Sequence, residues 1–217
     1  DQLPSAALVD ELPAHLRDRL MRYYLGCLQR HLHVNGPRQT LLAKNVLAHG
    51  RIRSMLKAMP DMRIIHLVRH PYETIPSFVS MYTVFWQWLS PGPEHRRDWS
   101  RNLARLLCRY YRTMLALRAC LAPEQFLEIQ YSELIADPEA VVKRIYQFFS
   151  LPLSAAVLSR FGAELSGAGS FKSRHRYSLE QFGLSKEMIY DELKEVFDAY
   201  GFSPHAGFAG IDEAGEH

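Results

Sequence analysis

The sequence predicts an α/β domain: a parallel sheet with helices on both faces, expected to lack its N-terminal part. Three observations lead there. Apolar runs of strand length alternate with segments of helical periodicity. The strongest run, residues 62–68 (Met-Arg-Ile-Ile-His-Leu-Val), is β-branched and nearly continuous in apolar character, as a central parallel strand buried on both faces has to be. Only three strand candidates occur, which is few for such a sheet, so upstream strands are expected to be missing.

In chain order, Leu16, Leu20, Tyr23, Tyr24, Cys27, Leu28 and His31 recur at steps of three and four, which predicts an amphipathic helix over 14–32. Asn35, Gly36 and Pro37 end it. Residues 40–43 form a short apolar run, the first strand candidate, and 50–59 have helical spacing before Pro60 and Asp61 make a turn. After the strand at 62–68 a long helical region begins at Pro71. Pro76 would clash inside a regular helix, so the helix proper is expected to restart there. A break at Ser90-Pro91-Gly92-Pro93 separates it from a second long helix over 98–120. Residues 126–131 are the third strand candidate, and 138–149 a helix with Val141, Val142, Ile145, Phe148 and Phe149 on its inner side. Residues 159–178, rich in Gly, Ser and basic side chains, read as a loop before a last helix over 184–200. A flexible tail is expected over 203–217, and all 217 residues are expected to form one domain.

Bulk properties narrow the function. The formal net charge is +3, and of 26 basic residues 20 are Arg and six are Lys. That balance excludes the broad basic field of a nucleic-acid-polymer binder and suits a few bidentate phosphate contacts. Cys27, Cys108 and Cys120 are odd in number, widely spaced and without a CxxC pair, which argues against a disulfide framework and a zinc site. The N-terminal residues are acidic and interrupted by Pro4, unlike a signal peptide, and the run 74–89, which contains Pro76, falls short of the ~20 residues of a membrane span. A soluble, cytoplasmic protein with no metal is the expectation.

The sharpest chemical signal is Val68-Arg69-His70-Pro71-Tyr72-Glu73-Thr74-Ile75-Pro76-Ser77, where a buried strand gives way to a helix. Ligands of open α/β sheets bind at the carboxyl ends of strands, where the next helix presents unpaired N–H groups and a positive dipole end. Arg69 leaves the strand there with a planar fork suited to phosphate oxygens, and the Ser77 hydroxyl is expected to face the same anion. The alternative is structural: Arg69 pairing with a carboxylate and Ser77 capping a helix.

Taken in order, Leu41-Leu42-Ala43-Lys44-Asn45, Arg51-Ile52, Met59-Pro60-Asp61, Arg69-His70-Pro71-Tyr72-Glu73 and Ser77 resemble the central block of the sulfotransferase family, in particular its bacterial-type members. The resemblance covers about residues 20–202. It implies a three-layer, P-loop-like fold and transfer of a sulfuryl group from 3′-phosphoadenosine 5′-phosphosulfate (PAPS) to a hydroxyl or amine acceptor, without metal. In the family an Arg and a Ser eight residues apart hold the donor's 3′-phosphate, and Arg69 and Ser77 have that spacing. A later Tyr, in a Y-x-E/D-L segment followed by D-P, lies near the adenine. Tyr131-Ser132-Glu133-Leu134 with Asp137-Pro138 matches it, so Tyr131 is the implied residue.

The resemblance also marks what departs from the family. Members bind the 5′-phosphosulfate with a Gly/Ser/Thr-rich loop after the first strand. No such loop precedes Lys44, and Gly167-Ala168-Gly169-Ser170-Phe171-Lys172-Ser173 has the composition without the spacing. The chain is therefore expected to be the C-terminal portion of a member, truncated or receiving that loop from elsewhere. Sulfuryl transfer needs a base for the acceptor proton and a cation for charge on the leaving oxygen. Lys44 is the candidate cation and His49 the candidate base, each with a surface role as its alternative. Lys172 and Arg174 resemble, in place and charge, a basic loop that closes over the donor nucleotide.

Two weaker features complete the set. Arg97, Arg101, Arg105, Arg109 and Arg112 recur along one helix, a solvated face or an acidic-acceptor face. Tyr82, Phe85, Trp86 and Trp88 are core residues or the lining of an apolar acceptor pocket. A nucleotide kinase would need a Walker-type loop and a magnesium-binding acid, which the sequence lacks. The remaining rival is a non-catalytic adenine-nucleotide-binding or interaction fragment of the same fold. The acceptor and the oligomeric state are not legible.

Overall fold

The computed structural model describes residues 7–36, 40–89, 96–168 and 177–206. Contacts divide the chain into two compact units, Asp1–Met62 and Arg63–His217.

In the first unit, helix α1 (Ala14–Asn35) follows Pro13 and closes where the Gly36 N–H reaches Leu32 O at 2.9 Å. Helix α2 (Ile52–Ala58) packs on it through Val9, Met21 and Met55, flanked by Leu12, Tyr24 and Met59. The Asp10 carboxylate caps α2 across 43 residues of sequence, accepting from the N–H groups of Arg53 at 3.0 Å and Ser54 at 2.9 Å. Such a cap satisfies donors that a helix start leaves unpaired. The strand expected over 40–43 does not form. Its composition suits a strand, but no described strand pairs with it, and Leu42 stays 84% exposed.

The second unit is α/β, with a small sheet: β1 (Ile64–Val68) pairs in parallel with β2 (Phe126–Gln130), Ile64 opposite Phe126 and Val68 opposite Gln130. Parallel neighbours need a long crossover, and helices α3 (Pro71–Leu89) and α4 (Arg96–Arg118) supply it. One sheet face carries Leu127 and Ile129 and packs against Val141 and Phe149 of the segment around α6 (Pro138–Phe148), which follows the short α5 (Tyr131–Ala136). The other face carries His66 and Glu128 and meets the ends of α4 and α8 (Lys186–Tyr200). Helices therefore cover both faces, as expected, but β1 is covered less than the sequence implied: Ile65 and Leu67 are 38% and 44% exposed.

Two local expectations fail for identifiable reasons. Helix α3 runs unbroken through Pro76. A proline there forfeits one hydrogen bond to Tyr72 O, at roughly 3 kcal/mol in a free helix. Here Ile75, Pro76 and Val79 are fully buried, and that burial outweighs the loss. The loop expected over 159–178 begins late, because helix α7 (Ala155–Ala168) occupies its first half. The expected break at Ser90-Pro91-Gly92-Pro93 lies outside the described residues, as does 207–217.

Helix α8 ends at Gly201, whose φ of 65° admits glycine without strain. The Phe202 N–H then bonds back to Phe197 O at 2.9 Å, and this turn carries Phe202 and Ser203 to the start of α3. Phe197, 1% exposed, is the hub there, with its ring within 5.3 Å of His70, Tyr72 and Tyr190. Phe197→Ala is expected to destabilise the second unit by about 3–5 kcal/mol in urea unfolding; a loss below about 1 kcal/mol would show that the ring cluster is not core.

Candidate functional site

The site is built at the carboxyl end of the sheet. Because Val68 and Gln130 are ladder partners, the next residues, Arg69 and Tyr131, emerge side by side. The Arg69 guanidinium stacks on the Tyr131 ring, 4.4 Å from its centroid. Its Nε donates to Glu73 Oε2 at 2.7 Å, four residues on. Glu73 takes one edge of the planar group, and the two terminal NH2 groups point along the other. Ser77 follows Glu73 by about one turn of α3, so Glu73 and Ser77 share a helix face about 6 Å apart along the axis. The Arg69 side chain is 39% exposed and that of Glu73 20%.

The backbone of this corner is fixed from two sides. From α4, the buried Tyr111 hydroxyl donates to Arg69 O at 2.6 Å, and burial pushes its pKa well up, so it stays a donor. On the other side, His70 precedes α3, and its carbonyl accepts from the N–H groups of Glu73 and Thr74. Its Nδ1 accepts from the Tyr72 N–H at 3.2 Å, so the proton sits on Nε2, which donates to Ser203 O at 3.2 Å. Burial lowers the His70 pKa, against the opposing effects of the Ser203 carbonyl and Glu73 and with the help of Lys186. A neutral imidazole is what a helix N-terminus, with its positive dipole end, favours.

Behind the strand ends, Glu128 gathers His66 Nδ1 at 3.3 Å, the Tyr200 hydroxyl at 2.5 Å and Arg118 Nε at 3.1 Å. Burial alone would raise the Glu128 pKa, but hydrogen bonds from His66 and Tyr200 and the charge of Arg118 outweigh it and hold the group below its ordinary value. A polar pocket of about 180 Å³ opens beside this network, lined by Val68, Arg118, Glu128, Gln130, Glu133 and Tyr200. Arg69, Ser77 and Tyr131 are not among its lining residues, but Val68 and Gln130, which precede Arg69 and Tyr131, are, so the pocket adjoins the corner.

Of the sequence candidates, Arg69 and Tyr131 meet in this corner, and Ser77 lies on α3 one turn beyond Glu73. Lys44 and His49 belong to the first unit: Lys44 is exposed in the irregular stretch after residue 40, and His49 is half-buried in a short 3-10 turn. Lys172 and Arg174 lie outside the described residues. Along α4, Arg101, Arg105 and Arg109 are exposed, while Arg112 donates to Glu192 O at 2.9 Å. Tyr82 pairs with the Phe78 ring at 4.7 Å, and the side chains of Phe85, Trp86 and Trp88 lie outside the described ones. The residues that sequence reasoning missed are Tyr111, His70 as an anchor, and the Glu128 network. The Arg69–Glu73 pair alone had a local signal, its i,i+4 spacing.

Comparison with known proteins decides the family, since the model described as "Sulfotransferase family" matches residues 2–155. The chain belongs to the sulfotransferase family. Its curated relatives include the omega-hydroxy-beta-dihydromenaquinone-9 sulfotransferase Stf3 of Mycobacterium bovis and of Mycobacterium tuberculosis. Each is 25% identical over 169 residues, 77% of this chain but 42% of the relative's own length. Among solved structures, the sulfotransferase STF9 of Mycobacterium avium aligns with a TM-score of 0.64 at 24% identity, over 72% of this chain and 40% of that one. The sulfotransferase domain of the curacin biosynthetic pathway aligns at 0.51 and 19% identity, over 90% of this chain and 76% of that domain. These likenesses support the α/β sulfotransferase fold, of which the two-stranded parallel sheet is part. No described helix is long and apolar enough to cross a membrane, and Cys27, Cys108 and Cys120 are free thiols.

The lowered His70 pKa has a defined sign in this sulfotransferase-family chain. The unfolded state binds the proton more readily, so stability is full above the ordinary value near 6.5 and is lost as pH falls through the lower folded value. The thermal midpoint is expected to drop as pH goes from 7 to 5. His70→Asn keeps a capping acceptor without the titration and is expected to flatten that part of the curve. A wild-type midpoint constant over the same range would contradict the assignment.

Proposed function

We propose that this chain carries the donor-binding corner of a sulfotransferase that moves a sulfuryl group from PAPS to a hydroxyl or amine acceptor. The observation that carries the reading is the Arg69 guanidinium: it leaves a parallel strand, stacks on Tyr131, has one edge held by Glu73, and stands at the start of the helix that bears Ser77. A planar fork with its second edge open suits the oxygens of a phosphate. In this reading Arg69 and Ser77 hold the 3′-phosphate, and Tyr131 lies by the adenine. Lys172 and Arg174 are further donor-phosphate ligands in the same reading. Because the chain spans 42% of the Stf3 length, the activity of the whole protein is part of the proposal.

The chemistry is a single displacement. The acceptor oxygen or nitrogen attacks sulfur, the bond from sulfur to the bridging oxygen of the 5′-phosphate breaks, and the acceptor proton passes to a base. Charge gathers on the departing adenosine 3′,5′-bisphosphate. His49 is the proposed base and Lys44 the cation that balances the leaving charge. Stf3 is named for a hydroxylated menaquinone, which supports a hydroxyl acceptor here without fixing its identity. The free thiols support a reducing, cytoplasmic setting.

Titration calorimetry with adenosine 3′,5′-bisphosphate tests the corner. A charge-assisted hydrogen bond contributes about 1.5–3 kcal/mol, so Arg69→Ala is expected to weaken binding about tenfold or more. Arg69→Lys should weaken it nearly as much, because a point charge reproduces neither the fork nor the stacking. Unchanged affinity in both variants would mean that Arg69 serves only its ion pair with Glu73, and would favour the structural alternative.

A further inference from the structure

We propose that Tyr111 is a positioning residue for phosphate recognition: by holding the Arg69 carbonyl it aims the Arg69 guanidinium. The proposal rests on the reading of Arg69 as the donor-phosphate ligand. Arg69 is the first residue past the β1–β2 ladder, so the sheet register no longer dictates its backbone. At that point a hydroxyl from a different helix, 42 residues on in sequence, takes its carbonyl at 2.6 Å. The interaction is buried, and the Tyr111 pKa is pushed up, which keeps the donor protonated at any working pH. Thr74, whose hydroxyl donates to His70 O at 3.2 Å, lies beside the Tyr111 hydroxyl.

The geometric consequence follows from how a side chain is aimed. The carbonyl and the Cα–Cβ bond of one residue share its Cα, so a rotation that moves the carbonyl swings the side chain as well. For a long side chain, a small backbone rotation becomes a displacement of an ångström or more at the guanidinium. Glu73 and Tyr131 constrain the far end of Arg69, and Tyr111 constrains its root. Sites lose affinity steeply when supporting contacts allow such looseness.

The test is the ratio of dissociation constants for adenosine 5′-monophosphate and adenosine 3′,5′-bisphosphate, which isolates the 3′-phosphate from the rest of the nucleotide. Calorimetry well below the unfolding midpoint is run on the wild-type chain, Tyr111→Phe, Arg69→Ala and, as a control for general destabilisation, Val141→Ala from the far sheet face. Tyr111→Phe is expected to lower the ratio about three- to tenfold, Arg69→Ala to abolish it, and Val141→Ala to leave it unchanged. Thr74→Val, which removes the hydroxyl beside Tyr111, is expected to lower the ratio in the same direction by less, and it serves as the reporter if Tyr111→Phe does not fold. A wild-type ratio in Tyr111→Phe, or in Thr74→Val where it stands in, alongside a lost ratio in Arg69→Ala overturns the positioning role alone. An unchanged ratio in Arg69→Ala overturns the donor-site reading, and the role of Tyr111 with it.

Discussion

The corner depends on one constraint, the parallel register that sets Val68 opposite Gln130. Both strands end on the same rung, so the two residues that follow leave the sheet together, and a guanidinium 62 positions before a phenol in sequence comes to lie on its ring. A slip of one residue would turn every side chain of β1 to the other face. It would exchange His66 for Ile65 beside Glu128, and the loss of one hydrogen bond to that half-buried carboxylate makes the slip unfavourable. The register and the Glu128 network therefore support one another. His66 and Glu128 pair across the strands while Arg118 and Tyr200 tie the ends of α4 and α8 to the same carboxylate.

Helix ends then finish what the register begins. Helix α4 contributes Tyr111 to the Arg69 carbonyl, and α8, turning at Gly201, returns Ser203 to His70. Lys186, at the start of α8, donates to Ala206 O at 2.8 Å, so residues 203–206 are bonded at two points to the rest of the unit. The first part of the segment expected to be a free tail thus helps to hold the strand-to-helix turn. Neutral His70 links the two, since one ring nitrogen caps α3 and the other receives the returning chain.

Much of this was legible in the sequence. The β-branched run before Arg69, the Tyr131 segment and the helices with strong periodicity all form close to their expected places, because each is specified by local pattern. The failures are non-local. Residues 40–43 have strand composition, but a strand exists only with a ladder neighbour. Pro76 breaks a helix in isolation, but here it is buried beside Ile75 and Val79, and packing prevails over propensity. Tyr111 and Glu128 gave no signal because their roles depend on partners that the fold brings from 42 and 62–72 positions away. The Arg69–Glu73 pair was within reach of sequence reasoning, and it shows that the functional and structural roles of Arg69 are compatible: one edge of the guanidinium is held so that the other can bind.

The most direct test of the central claim is a crystal structure of this chain with adenosine 3′,5′-bisphosphate. The account predicts the 3′-phosphate within hydrogen-bonding distance of the terminal NH2 groups of Arg69 and the Ser77 hydroxyl, with Glu73 still on Nε and the ring of Tyr131 still beneath the guanidinium. A nucleotide bound with its 3′-phosphate away from Arg69, or with the Arg69–Glu73 pair broken to admit it, would contradict the account.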